Sequence, residues 1–119
     1  MNWVEKDTNE YEMFWHITSK NNIDSIKEKG ILQSTIGING DGVYCVKSGD
    51  GNLNQLQNVI NFMSRNDLKE EDQVIVEFEY LGSYFENEIG GIYEEDGWIH
   101  IEGEIPATLI ERIIGIRDL

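Results

Sequence analysis

Apolar residues fall along this chain in runs whose spacing changes from segment to segment, and each change marks an element. After a polar lead-in over residues 1–10, "YEMFWHI" (11–17) is aromatic and apolar enough for a first strand. "SKNNIDSIKEKG" (19–30) then reads as a short helix. Ser19 is a fit N-cap, Ile23 and Ile26 form the buried stripe, Lys27 and Lys29 suit the C-terminal dipole, and Gly30 is the stop. Residues 33–42 read as loop and end in the turn signal "NGDG". "GVYCVK" (42–47) is a short buried strand. Beyond the turn "SGDGN", the residues Leu53, Leu56, Val59, Ile60 and Met63 recur at helical spacing.

The second half is richer in strands. "LKEEDQ" is a charged loop. In "VIVEFEYLG" (74–82), Val74, Val76, Phe78 and Tyr80 alternate with Ile75, Glu77 and Glu79, the period of a half-buried strand. "SYFENEIGGIYEEDG" is irregular and acidic, with a short strand near Ile92, and "WIHIE" (98–102) is a further strand. "EIPATLIERI" starts a short helix with Pro106 near its first turn, and "IIGIRDL" closes the chain as a strand. This order predicts a single α+β domain over residues 1–119, with a small or split sheet and two main helices packed on it.

Composition narrows what such a domain does. The 119 residues suffice for one core, and 39% hydrophobic residues spread along the chain supply it. A net charge of −14 repels phosphates, so nucleic-acid binding through a basic face is disfavoured and a basic protein partner is favoured. The lone cysteine, Cys45, excludes an internal disulfide and a multi-cysteine metal site. No apolar run approaches the roughly 20 residues of a membrane helix, and the polar N-terminus does not resemble a signal peptide, so the expected location is the cytoplasm.

Chemistry centres on His16, at the end of the first aromatic run. Alternation puts it on one face with Phe14. Alone, a histidine there is read first as a structural residue, Tyr44 as a sheet aromatic, and Phe62 as a core residue. The turns "GDGVY" and "SGDGN" lack the full ligand spacing of a calcium loop, and His16 and His100 lack the spacing of a zinc helix motif, so no metal is expected.

Taken together, "WHITSKNNIDSIKEKGI" and "GVY" resemble the opening of the ADP-ribosyltransferase-like fold. That fold is shared by DNA-modifying ADP-ribosyltransferase toxins, tRNA 2′-phosphotransferases and poly(ADP-ribose) polymerases. The matching residues are His16, Thr18, Asn22, Ile23, Ile26, Gly30, Ile31, Gly42, Val43 and Tyr44. "VIVEFEYLG" looks like a central strand of that fold and "WIHIEGEIPATLIERIIGI" like its closing segment, so the likeness spans about residues 14–117. The resemblance implies an NAD cleft. His16 would bind a ribose hydroxyl, Thr18 would shape that pocket, Tyr44 would stack on nicotinamide, and Gly42 would allow close backbone approach. Phe62, Trp98 and His100 would line the same pocket.

Transferring members also carry a glutamate that steadies the oxocarbenium-like transition state. Anchoring on Ile105–Pro106 puts Trp98 at that position. A short shift offers Gly97, Asp96 or Glu95 instead, and Glu102 lies on the same strand face as Trp98 and His100. The arginines Arg65, Arg112 and Arg117 match no phosphotransferase motif. The expected activity is therefore ADP-ribosyl transfer to a protein, or NAD hydrolysis, with His16, Tyr44 and Glu102 in the catalytic roles. The competing expectation is a non-catalytic, acidic binding or inhibitor protein of the same fold, phage or mobile-element encoded, whose charge attracts a basic partner.

Overall fold

A computed structural model describes residues 4–5, 12–32, 42–49, 53–80, 92–95 and 97–118, with Val4, Glu5 and Tyr80 described by backbone alone. It is a small α+β protein. The strands are β1 (Val4–Glu5), β2 (Glu12–Ser19), β3 (Val43–Lys47), β4 (Gln73–Tyr80), β5 (Ile92–Glu95), β6 (Trp98–Ile101) and β7 (Ile110–Gly115). The helices are α1 (Ile23–Lys29) and α2 (Leu53–Arg65). The strands form one sheet in the order β1-β5-β6-β3-β2-β4-β7, and every neighbouring pair is antiparallel.

Each face of this sheet has its own apolar cluster. On one, Phe14, Val43, Cys45, Val76, Phe78, Ile99 and Ile101 pack with Ile26 of α1 and with Ile31 and Ile105. On the other, Trp15, Ile17, Val46 and Ile75 pack under Leu56 and Ile60 of α2. The central strands are therefore covered on both sides. This explains why Val74, Ile75, Val76 and Phe78 are all buried, where alternation with glutamates predicted a strand with one wet face. Only Glu77 and Glu79 keep that pattern, near the end of β4.

The helical stripe of α2 is as its spacing predicts, with Leu56 and Ile60 buried and Val59 and Met63 packed beside them, while Leu53 at its first turn is 48% exposed. Ser19 caps as expected, its Oγ accepting from the Asn21 amide at 3.2 Å, although what it caps is a 3-10 turn (Lys20–Asn22) leading into α1. Gly30 ends α1 at φ 81°. A Cβ there would lie 1.9 Å from the Ile105 carbonyl oxygen, so only glycine lets the chain make the reciprocal Ile31–Ile105 bonds of 2.8 and 2.9 Å.

Four expectations are corrected. The first strand continues through Thr18 and Ser19, which pair with Val74 and Gln73 of β4. The polar lead-in contributes a strand, β1, paired with β5. The segment after Pro106 is a single 3-10 turn (Ala107–Leu109) and not a helix, because Ile110, Ile113 and Ile114 are drawn into β7 against β4. Strand β7 ends at Gly115, and Ile116–Asp118 form a closing 3-10 turn.

The sheet is continuous, where a split sheet stood as one expectation, but it is notched. Strand β2 pairs with β4 over eight residues, yet with β3 only at Phe14–Lys47 and Trp15–Val46. Beyond Trp15 the ladder between β2 and β3 stops. Residues 33–41, where a loop is expected, residues 50–52 of the expected turn, residues 81–91 and Asp96 lie outside the described residues.

Candidate functional site

His16 stands where β2 and β3 part. Its Nδ1 lies 2.8 Å from the Tyr44 carbonyl oxygen, so a side chain takes up the place that a backbone amide would fill in a continuing ladder. A carbonyl only accepts, so Nδ1 carries the proton and donates. The half-buried imidazole has its pKa lowered by removal from water, opposed by this hydrogen bond to Tyr44. It is therefore neutral near pH 7, with a bare lone pair on Nε2. Among the described residues that nitrogen makes no hydrogen bond. The site thus offers a fixed acceptor suited to an O–H or N–H donor.

Thr18 follows on the same strand. Its Oγ1 accepts from Asn22 Nδ2 at 2.8 Å, which ties the end of β2 to the start of α1. The residues that match the resemblance at 16, 18 and 22 therefore occupy one continuous corner.

Tyr44 and His100 face each other across the β3–β6 ladder. Their rings stack with centroids 4.5 Å apart and planes inclined by 12°. Tyr93 of β5 is the next partner of His100, at 6.2 Å and 28°. The three rings form a row across β5, β6 and β3, with the buried imidazole between two half-buried phenols. Sequence reasoning missed Tyr93. Hairpin symmetry between "IYEE" and "WIHI" supplies the signal, because pairing Glu95 with Trp98 sets Tyr93 opposite His100.

Gly42 is needed for this row. At φ 157° its backbone passes so close to His100 that a Cβ would lie 2.4 Å from the imidazole Nε2 and 2.5 Å from the Ile101 carbonyl oxygen. The close approach expected of this glycine is thus made to His100. Continuing the β3–β6 register one step past Val43–Ile101 puts Glu102 opposite Gly42, with the strand parity of His100 and Tyr44. Glu102 is half-buried and lies in the bend after β6.

The two halves of the site use different faces. Val43 and Cys45 belong to the α1-side cluster and Val46 to the α2 side, so alternation along β3 turns the Tyr44 ring to the α2 side. His16, between Trp15 and Ile17 of the α2-side cluster and opposite Val76 of the α1-side cluster, turns to the α1 side. The link between them runs through the Tyr44 backbone in the notch.

The remaining candidates stand apart. Trp98 pairs with Val46 and Glu95 and packs into the α2-side cluster. Phe62 is 57% exposed on α2 and is not a core residue. Glu95 is half-buried beside Trp98. The Cys45 thiol is pushed well up by burial, which leaves it a packing group and not a nucleophile. No family model and no curated protein matches the chain.

Proposed function

We propose that this protein binds NAD at the notch between β2 and β3 and acts as a small ADP-ribosyltransferase, or NAD glycohydrolase, of the ADP-ribosyltransferase-like fold, with a basic protein as acceptor. The observation that carries this reading is the His16–Tyr44 contact. Burial keeps the imidazole neutral and this hydrogen bond fixes its tautomer, at the point where the β2–β3 ladder stops. A neutral Nε2 accepts a ribose hydroxyl without adding a charge beside the cation that forms when the nicotinamide bond breaks. The Tyr44 ring, stacked on His100, lies on the face opposite His16, so the dinucleotide would pass through the notch to bring its nicotinamide against that ring. Glu102, one step past the β3–β6 ladder with the parity of His100, would steady the oxocarbenium-like transition state. Water or an acceptor side chain then completes the substitution at the ribose carbon. The charge of −14 favours a basic protein over a nucleic acid as that acceptor.

The test is incubation of the protein with NAD, followed by chromatography for nicotinamide and detection of ADP-ribose on added basic protein. Glu102→Gln is expected to lower turnover by about 10²-fold with binding retained, the scale of losing one transition-state contact. Absence of nicotinamide release by the wild type under conditions where NAD binds removes the enzymatic half of the proposal.

One observation favours a second reading, a non-catalytic acidic binding protein. Trp98 stands where the resemblance expects the glutamate, and it is committed to packing under α2. In that case association with a basic protein weakens steeply with salt and is indifferent to His16→Ala.

A further inference from the structure

The longer edge strand of the sheet lies beyond β4, which pairs with the His16 strand. Strand β7 is last in the strand order, separated from β3 by β4 and β2, and among the described residues it pairs with β4 alone. The opposite edge strand, β1, has two residues, whereas β7 has six. An edge of that length carries a row of backbone donors and acceptors that can accept another strand. Beside it runs a groove of about 410 Å³. It is lined by Ile23 of α1, Ala107, Ile110 and Ile113 together with the charged Lys27, Glu111 and Arg112.

The charges around β7 say what kind of strand fits. Register slips between Glu77 and Phe78, so Glu111 is the extra residue of a bulge, with Arg112 opposite Glu77 and Ile110 opposite Phe78. Arg112 is taken up by Glu77, at 3.0 Å from Nε to Oε1. Hydrogen bonding to Glu79, then the Glu79 charge, some burial and the Glu77 charge hold the Glu111 carboxyl above the usual range. Two carboxyl groups held together at an exposed edge cost free energy that a nearby ammonium or guanidinium would recover.

We propose that the β7 edge and its groove dock an extended segment of another protein in which apolar and basic residues alternate. The segment adds to the sheet as a further strand. Its apolar side chains enter the groove over Ile23, Ile110 and Ile113, and a lysine or arginine reaches Glu111 and Glu79. A second copy of this chain is the poorer occupant, because two molecules of charge −14 would bring their glutamates toward one another. This surface does not depend on the NAD reading, since none of its lining residues is used there.

The probe is a synthetic decapeptide of alternating isoleucine and lysine. Its controls are the same composition with the lysines in one block, and an alternating isoleucine–glutamate peptide. Binding is read by fluorescence anisotropy and located by amide hydrogen exchange. The alternating isoleucine–lysine peptide is expected to bind and to slow exchange of the Glu111–Gly115 amides. The exposed substitution Glu111→Lys is expected to weaken it at least about tenfold, the scale of losing one close charge pair, with the melting temperature kept. Equal binding of the blocked peptide, protection outside β7, or indifference to Glu111→Lys overturns the proposal. So does sedimentation showing a dimer that protects β7, which would assign the edge to a second copy.

Discussion

Replacing Gly30 by alanine tests the joint on which α1 and the Ile105 segment are assembled. At φ 81° and ψ −167° the added Cβ meets a backbone region that is essentially glycine-only, a cost of about 1–3 kcal/mol. It would also lie 1.9 Å from the Ile105 carbonyl oxygen and 2.8 Å from the Ala107 amide nitrogen. Both are backbone atoms that cannot rotate away. Relief requires the two chains to separate, which loses the reciprocal Ile31–Ile105 hydrogen bonds, each worth about 1 kcal/mol net. Ile31 and Ile105, 2% and 0% exposed, would be loosened with them. The total is about 3–5 kcal/mol, a large part of the ~5–15 kcal/mol that holds a domain folded. The assay is urea denaturation followed by circular dichroism. Gly49→Ala is the control, because Gly49 also has positive φ (110°) but a Cβ there meets nothing within 4 Å. That control is expected to lose only the backbone term, about 1–3 kcal/mol. Equal losses for the two variants would refute the reasoning, since the difference between them is the collision with Ile105 and Ala107.

Further outcomes follow from buried polar groups. The Gln73 amide donates from Nε2 to the Leu68 carbonyl at 2.9 Å, to Ser64 Oγ at 3.1 Å and to the Ile60 carbonyl at 3.3 Å, so Gln73→Ala is expected to cost about 2–3 kcal/mol in urea denaturation by orphaning the end of α2. Glu77 accepts from Trp15 Nε1 at 2.7 Å and from Arg112, so Glu77→Leu is expected to cost about 1–3 kcal/mol with a change in tryptophan emission. Arg112→Ala, whose side chain is 54% exposed, is expected to cost no more than about 1 kcal/mol in the same assay. For His16 the folded pKa lies below the unfolded value of about 6.5, so the unfolded chain takes up the proton first as pH falls. Its contribution to stability is complete above about pH 6.5 and is lost as pH drops through that value toward the folded pKa. The stability difference between wild type and His16→Gln is therefore expected to shrink from about pH 7.5 to about pH 5, as measured by urea midpoints.

Much of this architecture is legible along the chain because local signals and tertiary packing agree. The stripe of α2, the Ser19 cap and the Gly30 stop are each written in a few neighbouring residues. What escaped depends on partners distant in sequence. "ATLIERI" has helical credentials after Pro106, but three isoleucines are worth more paired against β4 than on the face of a short helix. Gln73 reads as the tail of a charged loop and proves 1% exposed, because its amide serves carbonyls of the α2 end that no local pattern announces. The covered second face of β4 could not be read from alternation either, since it depends on which helix lands there. At the site, Tyr44 opposite His100 is a matter of register, and Tyr93 becomes visible only when β5 and β6 are treated as a hairpin. That Trp98 packs under α2 follows from its parity with Val46, which sequence spacing alone leaves open.

The central claim, that NAD is bound at the His16 notch, is tested most directly by titrating isotope-labelled protein with NAD and following side-chain resonances. Saturable shifts are predicted at the His16 Nε2 and at the Tyr44 and His100 rings, with Nδ1 of His16 remaining protonated and the exposed Phe62 ring unmoved. Unchanged His16 and Tyr44 signals at NAD concentrations up to the millimolar range, or shifts confined to residues outside the notch, would contradict it.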